Sequence, residues 1–261
     1  MATPGKDYVI GKGRLFFDRF LVGTKTPTGE HYFGNTPELS TSQDESTLDH
    51  YDADAGLNVK DESVTTEKNN TGSFVTDNIE PGNIVLWYGG DSTSATITAA
   101  TGVVETHTVP KRGVYIQLGA TQALPSGARN VDNVVVKIGA TTVTAANNYD
   151  VDLALGRVFI EPDGPGITDG AVLEFTFDID AGVRKVIVGK GTEIRGALRF
   201  ISANPVGSQK DYFWPYVKLT ANGDFSLKGD EWQQIPFSFE VLKRDANTEM
   251  VYIDDRTGSA A

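Results

Sequence analysis

The chain has 261 residues, 39% of them hydrophobic and 10% aromatic, enough for one large β domain or two smaller ones with a true core. Its 28 Gly and 11 Pro favour frequent turns over long helices, and the absence of Cys excludes disulfides and thiolate metal sites. A net charge of −12 argues against ordinary nucleic-acid binding, which needs Lys and Arg to replace phosphate counterions.

The first residues, Met1 to Asp7, lack the apolar core of a signal peptide, and no window approaches the roughly 20 apolar residues of a membrane helix. Residues 13–22 (GRLFFDRFLV) read as a strand, followed by a Gly/Pro/Thr loop from Gly23 to Gly34. Thr36 to Asn70 then reads as two long polar arms around a turn at 53–56. Pro37 to His50 has aliphatic side chains only at Leu39 and Leu48, and Val59 to Asn70 only at Val59 and Val64. Hydroxyl and β-branched residues favour extended backbone, yet a hairpin this polar cannot bury enough apolar area to stand alone. It also leaves strand edges that other chains can extend, so neighbouring copies are expected to complete it.

Asp77–Pro81 reads as a helix start, with Pro at the first helical position; residues 84–88 are its body and Gly89–Gly90 its stop. From Asp91 to Asp180 short strands recur with Gly turns: Gly113–Leu118, Val131–Ile138, Val143–Thr144, Tyr149–Leu153, Arg157–Glu161 and Val172–Asp178. That rhythm predicts an inserted β-sandwich-like module, although residues 114–118 could instead pair into the main sheet. Longer strands resume at Val183–Val188, Ile194–Ser202, Asp211–Thr220 and Glu231–Lys243. The expected fold is all-β: a sandwich or barrel built from 1–90 and 181–256, with one short flanking helix, an insertion at 91–180 and a frayed tail at 257–261.

The chemistry-bearing residues form no recognisable site. His31, His50 and His107 are isolated and lack metal-ligand spacing. Asp52-x-Asp54-x-Gly56 resembles a calcium loop, but its glycine sits one place early, so an acidic turn is the preferred reading. Residues 11–13 (GKG) and 189–192 (GKGT) lack the spacing of a phosphate loop and read as turns. There is no G-x-S-x-G elbow, and abundant acids yield carboxylate pairs by chance, so an enzyme is not expected. The aromatic runs Phe16, Phe17, Phe20 and Tyr212–Tyr216 should be half core and half subunit contact.

Several segments resemble the major tail tube proteins of long-tailed, siphovirus-like bacteriophages. They are 11–18 (GKGRLFFD), 27–29 (PTG), 32–38 (YFGNTPE), 47–51 (TLDHY), 71–74 (TGSF), 77–79 (DNI), 196–200 (GALRF), 216–219 (YVKL), 228–234 (KGDEWQQ) and 239–242 (FEVL). The resemblance covers both ends of the chain and, more loosely, the middle. It implies a β-sandwich protomer forming hexameric rings that stack into a hollow tube for passage of double-stranded DNA. It also implies a virion location after synthesis in the host cytoplasm, tape measure, tail terminator and distal tail proteins as partners, and no cofactor or membrane insertion. In that family the polar hairpin lines the lumen and reaches the adjacent ring.

The residues add a mechanism to that picture. Carboxylates in a lumen repel phosphates over about one Debye length, about 8 Å at physiological salt, and spare a passing duplex the drag of cationic contacts. Alternation assigns Glu38, Ser40, Ser42 and Asp44 to the lumen, with Leu39 toward the core. In the second arm it assigns Ser63, Thr65 and Glu67 to the lumen, with Val64 inward. Glu45, Leu48, Asp49, Tyr51, Asp54, Lys60, Asp61 and Glu62 are the expected inter-ring contacts. The other class of function compatible with the sequence is a β-sandwich binding or decoration module of a virion or cell surface.

Overall fold

A computed structural model describes residues 7–54 and 56–256; the expected frayed tail at 257–261 lies outside them. In chain order its elements are β1 (Gly13–Phe20), β2 (Pro27–Tyr32), β3 (Glu38–Asp52), β4 (Val59–Thr76), α1 (Pro81–Trp87), β5 (Asp91–Ile97), β6 (Ala100–Thr108) and β7 (Tyr115–Gln117). They continue with β8 (Val131–Ile138), β9 (Thr141–Val143), β10 (Tyr149–Asp152), β11 (Arg157–Ile160), β12 (Val172–Ile179) and β13 (Gly182–Val188). The last four are β14 (Ile194–Ser202), β15 (Lys210–Ala221), β16 (Ile235–Val241) and β17 (Tyr252–Asp255). The fold is all-β with one short helix, and its ladders are antiparallel. Packing divides the chain into one unit of residues 1–93 and 187–261 and another of 94–186. Both divisions fall inside strands, β5 and β13, which pair with each other.

The first unit is one eight-stranded sheet in the order β2-β1-β14-β15-β16-β4-β3, with β17 beside the start of β15. Alternation sends Leu15, Phe17, Leu198, Leu219, Phe237 and Phe239 to one side, where they form a continuous core with Phe33, Phe74 and Trp214. Phe33 follows β2, the far end of the sheet from β4, yet its ring lies 4.7 Å from that of Phe74 and 5.6 Å from that of Phe237. The sheet therefore curls around its apolar face. Pro215, in the middle of β15, is tolerated because the ladder is broken on both sides of it. Toward β14 a bulge sets two residues against Ala197, and on the other edge the partner changes from β17 to β16.

The helix forms as its termini dictate. Pro81 occupies the first turn, and the N–H groups of Gly89 and Gly90 close back on the Leu86 and Val85 carbonyls in a Schellman motif. Gly89 has a φ of 57°, and a Cβ there would lie 2.6 Å from the Thr192 carbonyl oxygen, so the position requires glycine. Fully buried Asn83 anchors the helix by donating to the Phe33 and Asn78 carbonyls at 2.9 and 2.8 Å while meeting His31 at 2.9 Å.

Two sequence expectations need correction, and one alternative is excluded. Residues 27–32 are a strand and not part of a loop, because the Asp18 carboxylate accepts the Thr28 and Gly29 N–H groups at 2.8 and 2.9 Å and Tyr32 packs on Phe16. The strand expected at Glu231–Lys243 is confined to Ile235–Val241, leaving Trp232 on a loop with 93% exposure. Residues 115–117 do not join the main sheet; they pair with β11.

The second unit has a three-stranded sheet, β10-β11-β7, and a four-stranded sheet, β6-β12-β8-β9. Both contribute to one separate core, in which Ile116, Val136, Val158, Ile160, Phe175 and Phe177 are buried.

A projecting polar hairpin and the outer sheet face

The strand β3 is the edge of the main sheet and pairs with β4 from Glu38 opposite Val75 to Asp52 opposite Val59. The partner on the other side of β4, β16, stops at Val241 opposite Asn70. Beyond Asp44 and Asn69 the hairpin is therefore two strands with no third, and about nine residues of β3 carry it roughly 30 Å at the strand rise of 3.3 Å. No described residue of this projection is buried. It has no apolar layer to rest on, as its composition dictates.

At its base the two faces differ sharply. Leu39 and Phe74 point into the core. Glu38, Ser40, Ser42 and Asp44 point away from it, sharing a face with Ser73 and Thr71 of β4, Ser238 and Glu240 of β16, and Thr220 and Lys218 of β15. Hydroxyl pairs bridge the strands there, Ser40 to Ser73 at 3.0 Å and Thr220 to Ser238 at 2.8 Å, around a hollow of about 400 Å³. Lys218 on this face is engaged by Glu193 at 3.4 Å. The extension of the polar face over β15 and β16 was readable only in part, from the alternation of Phe237 and Phe239 with Ser238 and Glu240.

Farther out the strict alternation fails. Glu67 faces Ser46 but Thr65 faces Thr47, so the ladder steps over Thr66, and a second irregularity steps over Asp61. Each extra residue moves the following side chains to the opposite face. Glu67 stays with Glu38, Ser40, Ser42 and Asp44, whereas Ser63 and Thr65 turn to the other face, contrary to the single-face assignment. Hydrogen bonds fix this: the Ser63 hydroxyl donates to Asp49 at 2.7 Å and that of Thr65 to Glu45 at 3.5 Å. Val64, expected inward, is 57% exposed beside Leu48, which is 69% exposed.

The inter-ring candidates all lie on the projection, and the same bulges sort their charges. The lysines Lys60 and Lys68 share a face with Asp49 and Glu45 and pair with them at 2.7 and 2.9 Å. The Lys60 and Ser63 hydrogen bonds hold the Asp49 carboxyl below its ordinary value of 3.8. Tyr51 stands opposite Lys60 on that face. The other face presents Leu48, Val64 and Val59 with Glu62 and Glu67, and no lysine of the hairpin among the described residues. His50 meets Asp61 at 2.6 Å beside it. At the turn Asp52 accepts the Asp54 N–H at 2.9 Å, so this carboxylate caps a turn.

Elsewhere the candidate groups are dispersed. Among the described residues no group of three or more His, Cys, Asp or Glu is placed to hold a metal ion. His31 contacts Glu80 at 3.1 Å and His107 contacts Glu105 at 3.0 Å, each as a local pair. Lys190 reaches Asp91 at 2.7 Å. Within the protomer Phe16 packs on Tyr32, Phe20 stacks on Tyr216, and the Arg199 guanidinium covers Phe213 at 4.4 Å. Phe20 and Tyr216, with Ala197, Phe213 and Leu242, form a small second core on the outer face of the sheet. No helix among the described residues is long and apolar enough to cross a membrane.

No curated protein matches the chain. The family model described as "Protein of unknown function UCP028589" matches residues 8–251, and the chain belongs to that family.

Proposed function

We propose that this protein is a non-enzymatic structural subunit of a phage tail tube, assembling as rings, six copies each by the resemblance, that stack into a conduit for double-stranded DNA. The observation that carries the reading is the hairpin: a fifteen-residue edge strand, unpaired on its outer side, that runs past the sheet into solvent. Isolated proteins blunt such edges with short strands, prolines, charges or bulges; β3 is long and free of proline, and its carboxylates and the bulges opposite it discourage indiscriminate pairing but leave its outer side without a strand partner. A ring of copies gives the edge a partner, and stacked rings give the projection a surface. On this reading the hydroxyl- and acid-bearing face around Ser40, Ser73 and Ser238 lines the lumen. It offers a passing duplex few cations, and Lys218 is already engaged by Glu193. The location would be the virion tail, with the other tail proteins at the tube ends and within it.

The test is negative-stain microscopy of the purified chain alongside sedimentation. Rings or tubes of uniform diameter are the expected result. A chain that stays monomeric at every concentration would remove the proposal. The second unit favours a further reading, because its own core of Phe175, Phe177 and Val136 is that of a module able to decorate a virion or cell surface. A monomer whose residues 94–186 alone bind bacterial cells would favour that reading.

A further inference from the structure

We propose that the projecting hairpin of one copy docks in a cationic, aromatic-floored groove on the outer sheet face of a second copy. This rests on the self-assembly reading above and adds the receptor for the hairpin. The groove, about 400 Å³, lies between the turn after β1 and the start of β14, on the face opposite the main core. Its floor is Phe20 stacked on Tyr216, and its rim carries Leu21 and Val22, exposed by 54% and 70%.

Cations surround that floor. The Lys25 ammonium sits 5.0 Å from the Tyr216 ring centre, the Arg195 guanidinium 5.7 Å from the same ring, and Arg244 5.5 Å from Phe20. Glu193 is the carboxylate in the groove, and it is held by Arg195 at 3.0 Å and Lys218 at 3.4 Å. Lys25 bonds the Arg244 carbonyl, and neither Lys25 nor Arg244 has a carboxylate at ion-pair distance among the described residues. Asp245, which feels Arg244, is engaged by the Thr248 hydroxyl and the Asn247 N–H. On a chain of net charge −12 this is a local excess of positive charge beside exposed aliphatic surface.

The hairpin carries the complement. One of its faces neutralises itself through the Asp49–Lys60 and Glu45–Lys68 pairs. The other sets Glu62 and Glu67 around exposed Leu48 and Val64 with no lysine of its own. Acid beside aliphatic on the hairpin matches cation beside aliphatic in the groove, which favours that face and fixes its orientation. The two surfaces lie on different parts of the protomer, so the contact can be made head to tail and propagate from copy to copy, as a stack requires.

A charge swap tests this. The groove variant combines Lys25→Glu with Arg244→Glu, and the hairpin variant combines Glu62→Lys with Glu67→Lys; circular dichroism verifies that each is folded. Each variant alone should need roughly tenfold or more protein to sediment than the wild type. An equimolar mixture should recover wild-type sedimentation, because reversed hairpins then meet reversed grooves. If either folded variant assembles like the wild type, or the mixture stays dispersed, the docking is wrong even though wild-type tubes form. A wild-type chain that never assembles sinks the self-assembly reading itself and this inference with it. If the groove variant assembles normally but loses retention of a duplex DNA oligonucleotide, the groove is a phosphate site and the proposal falls.

Discussion

Removing Glu45 to Glu62 tests whether the hairpin belongs to the fold or to an assembly. The deletion leaves residues 63–68 to link Asp44 and Asn69, which already stand opposite each other, so the new loop closes a gap the ladder has set. No buried side chain among the described residues is lost, and the ion pairs removed are solvent-accessible ones of the kind that stabilise little. The unfolding midpoint should therefore stay at the wild-type value. Phe74→Ala, only 12 residues past the end of the cut, provides the contrast. That ring is 1% exposed and lies 4.7, 5.1 and 6.5 Å from the rings of Phe33, Phe237 and Phe239. Its loss should cost about 3–5 kcal/mol, a large part of the roughly 5–15 kcal/mol that holds a domain together. Urea denaturation followed by tryptophan emission reads the relevant unit, because Trp87, Trp214 and Trp232 all lie in it. The deletion should retain its midpoint and lose sedimentable tubes, whereas Phe74→Ala should lower the midpoint. A deletion that unfolds would show that the hairpin is part of the core, and one that still forms normal tubes would show that stacking does not use it.

Three further outcomes are expected. Glu38 and Asp44 changed together to Lys should leave the fold intact, since both are exposed, but slow DNA transit through assembled tails at low salt; unaltered ejection kinetics would exclude lumen charge as the operating principle. Excising residues 94–186 with a short Gly/Ser link between Thr93 and Ile187 should leave a folded first unit, because each core is built from its own strands; insoluble product would contradict this. Burial opposes ionisation of Asp211, but the Arg256 and Ser202 hydrogen bonds outweigh it and hold its carboxyl below 3.8, so the contribution to β17 pairing is complete above that value and disappears as pH falls through the lower folded one. Hydrogen exchange at Ile253 and Asp254 should accelerate over that acid range, and Asp211→Asn should show the fast exchange already at neutral pH.

How far the sequence disclosed this structure depends on where the causes lie. Alternation over residues 235–241 and 194–202 is local, so those strands and their buried faces were legible. The helix was legible for the same reason, since Pro81 and Gly89 act on their own turns. The strand at 27–32 was not, because it is held by the distant Asp18 carboxylate and Phe16 ring. Nor were the bulges at Thr66 and Asp61: an extra residue exists only relative to a partner strand, and no composition at those positions announces it. That is why Glu67 was placed correctly with Glu38 and Asp44, while Ser63 and Thr65 were not. The packing of the outer aromatic cluster was hidden for a related reason. Its cover comes from Lys25, Arg195, Arg199 and Arg244, residues dispersed along the chain that converge only after the sheet forms.

The two bulges also bear on how such a chain could stay dispersed until it is needed. A long bare edge invites indiscriminate pairing, and a flat two-stranded ribbon invites it most. Here the edge strand carries Glu38, Asp44, Glu45, Asp49 and Asp52, so two free copies that approach edge to edge meet like charges within a Debye length of about 8 Å. The bulges increase the local twist, which spoils the flat register that an unrelated strand would need. Both lysines lie on one face, where Asp49 and Glu45 consume them, so a second hairpin finds no free lysine to pair with. On the proposed reading the partner of suitable sign is the groove at Lys25 and Arg244, on a different surface of the protomer. A contact between unlike surfaces leaves a free hairpin at one end of a row of copies and a free groove at the other, so it can extend into a stack.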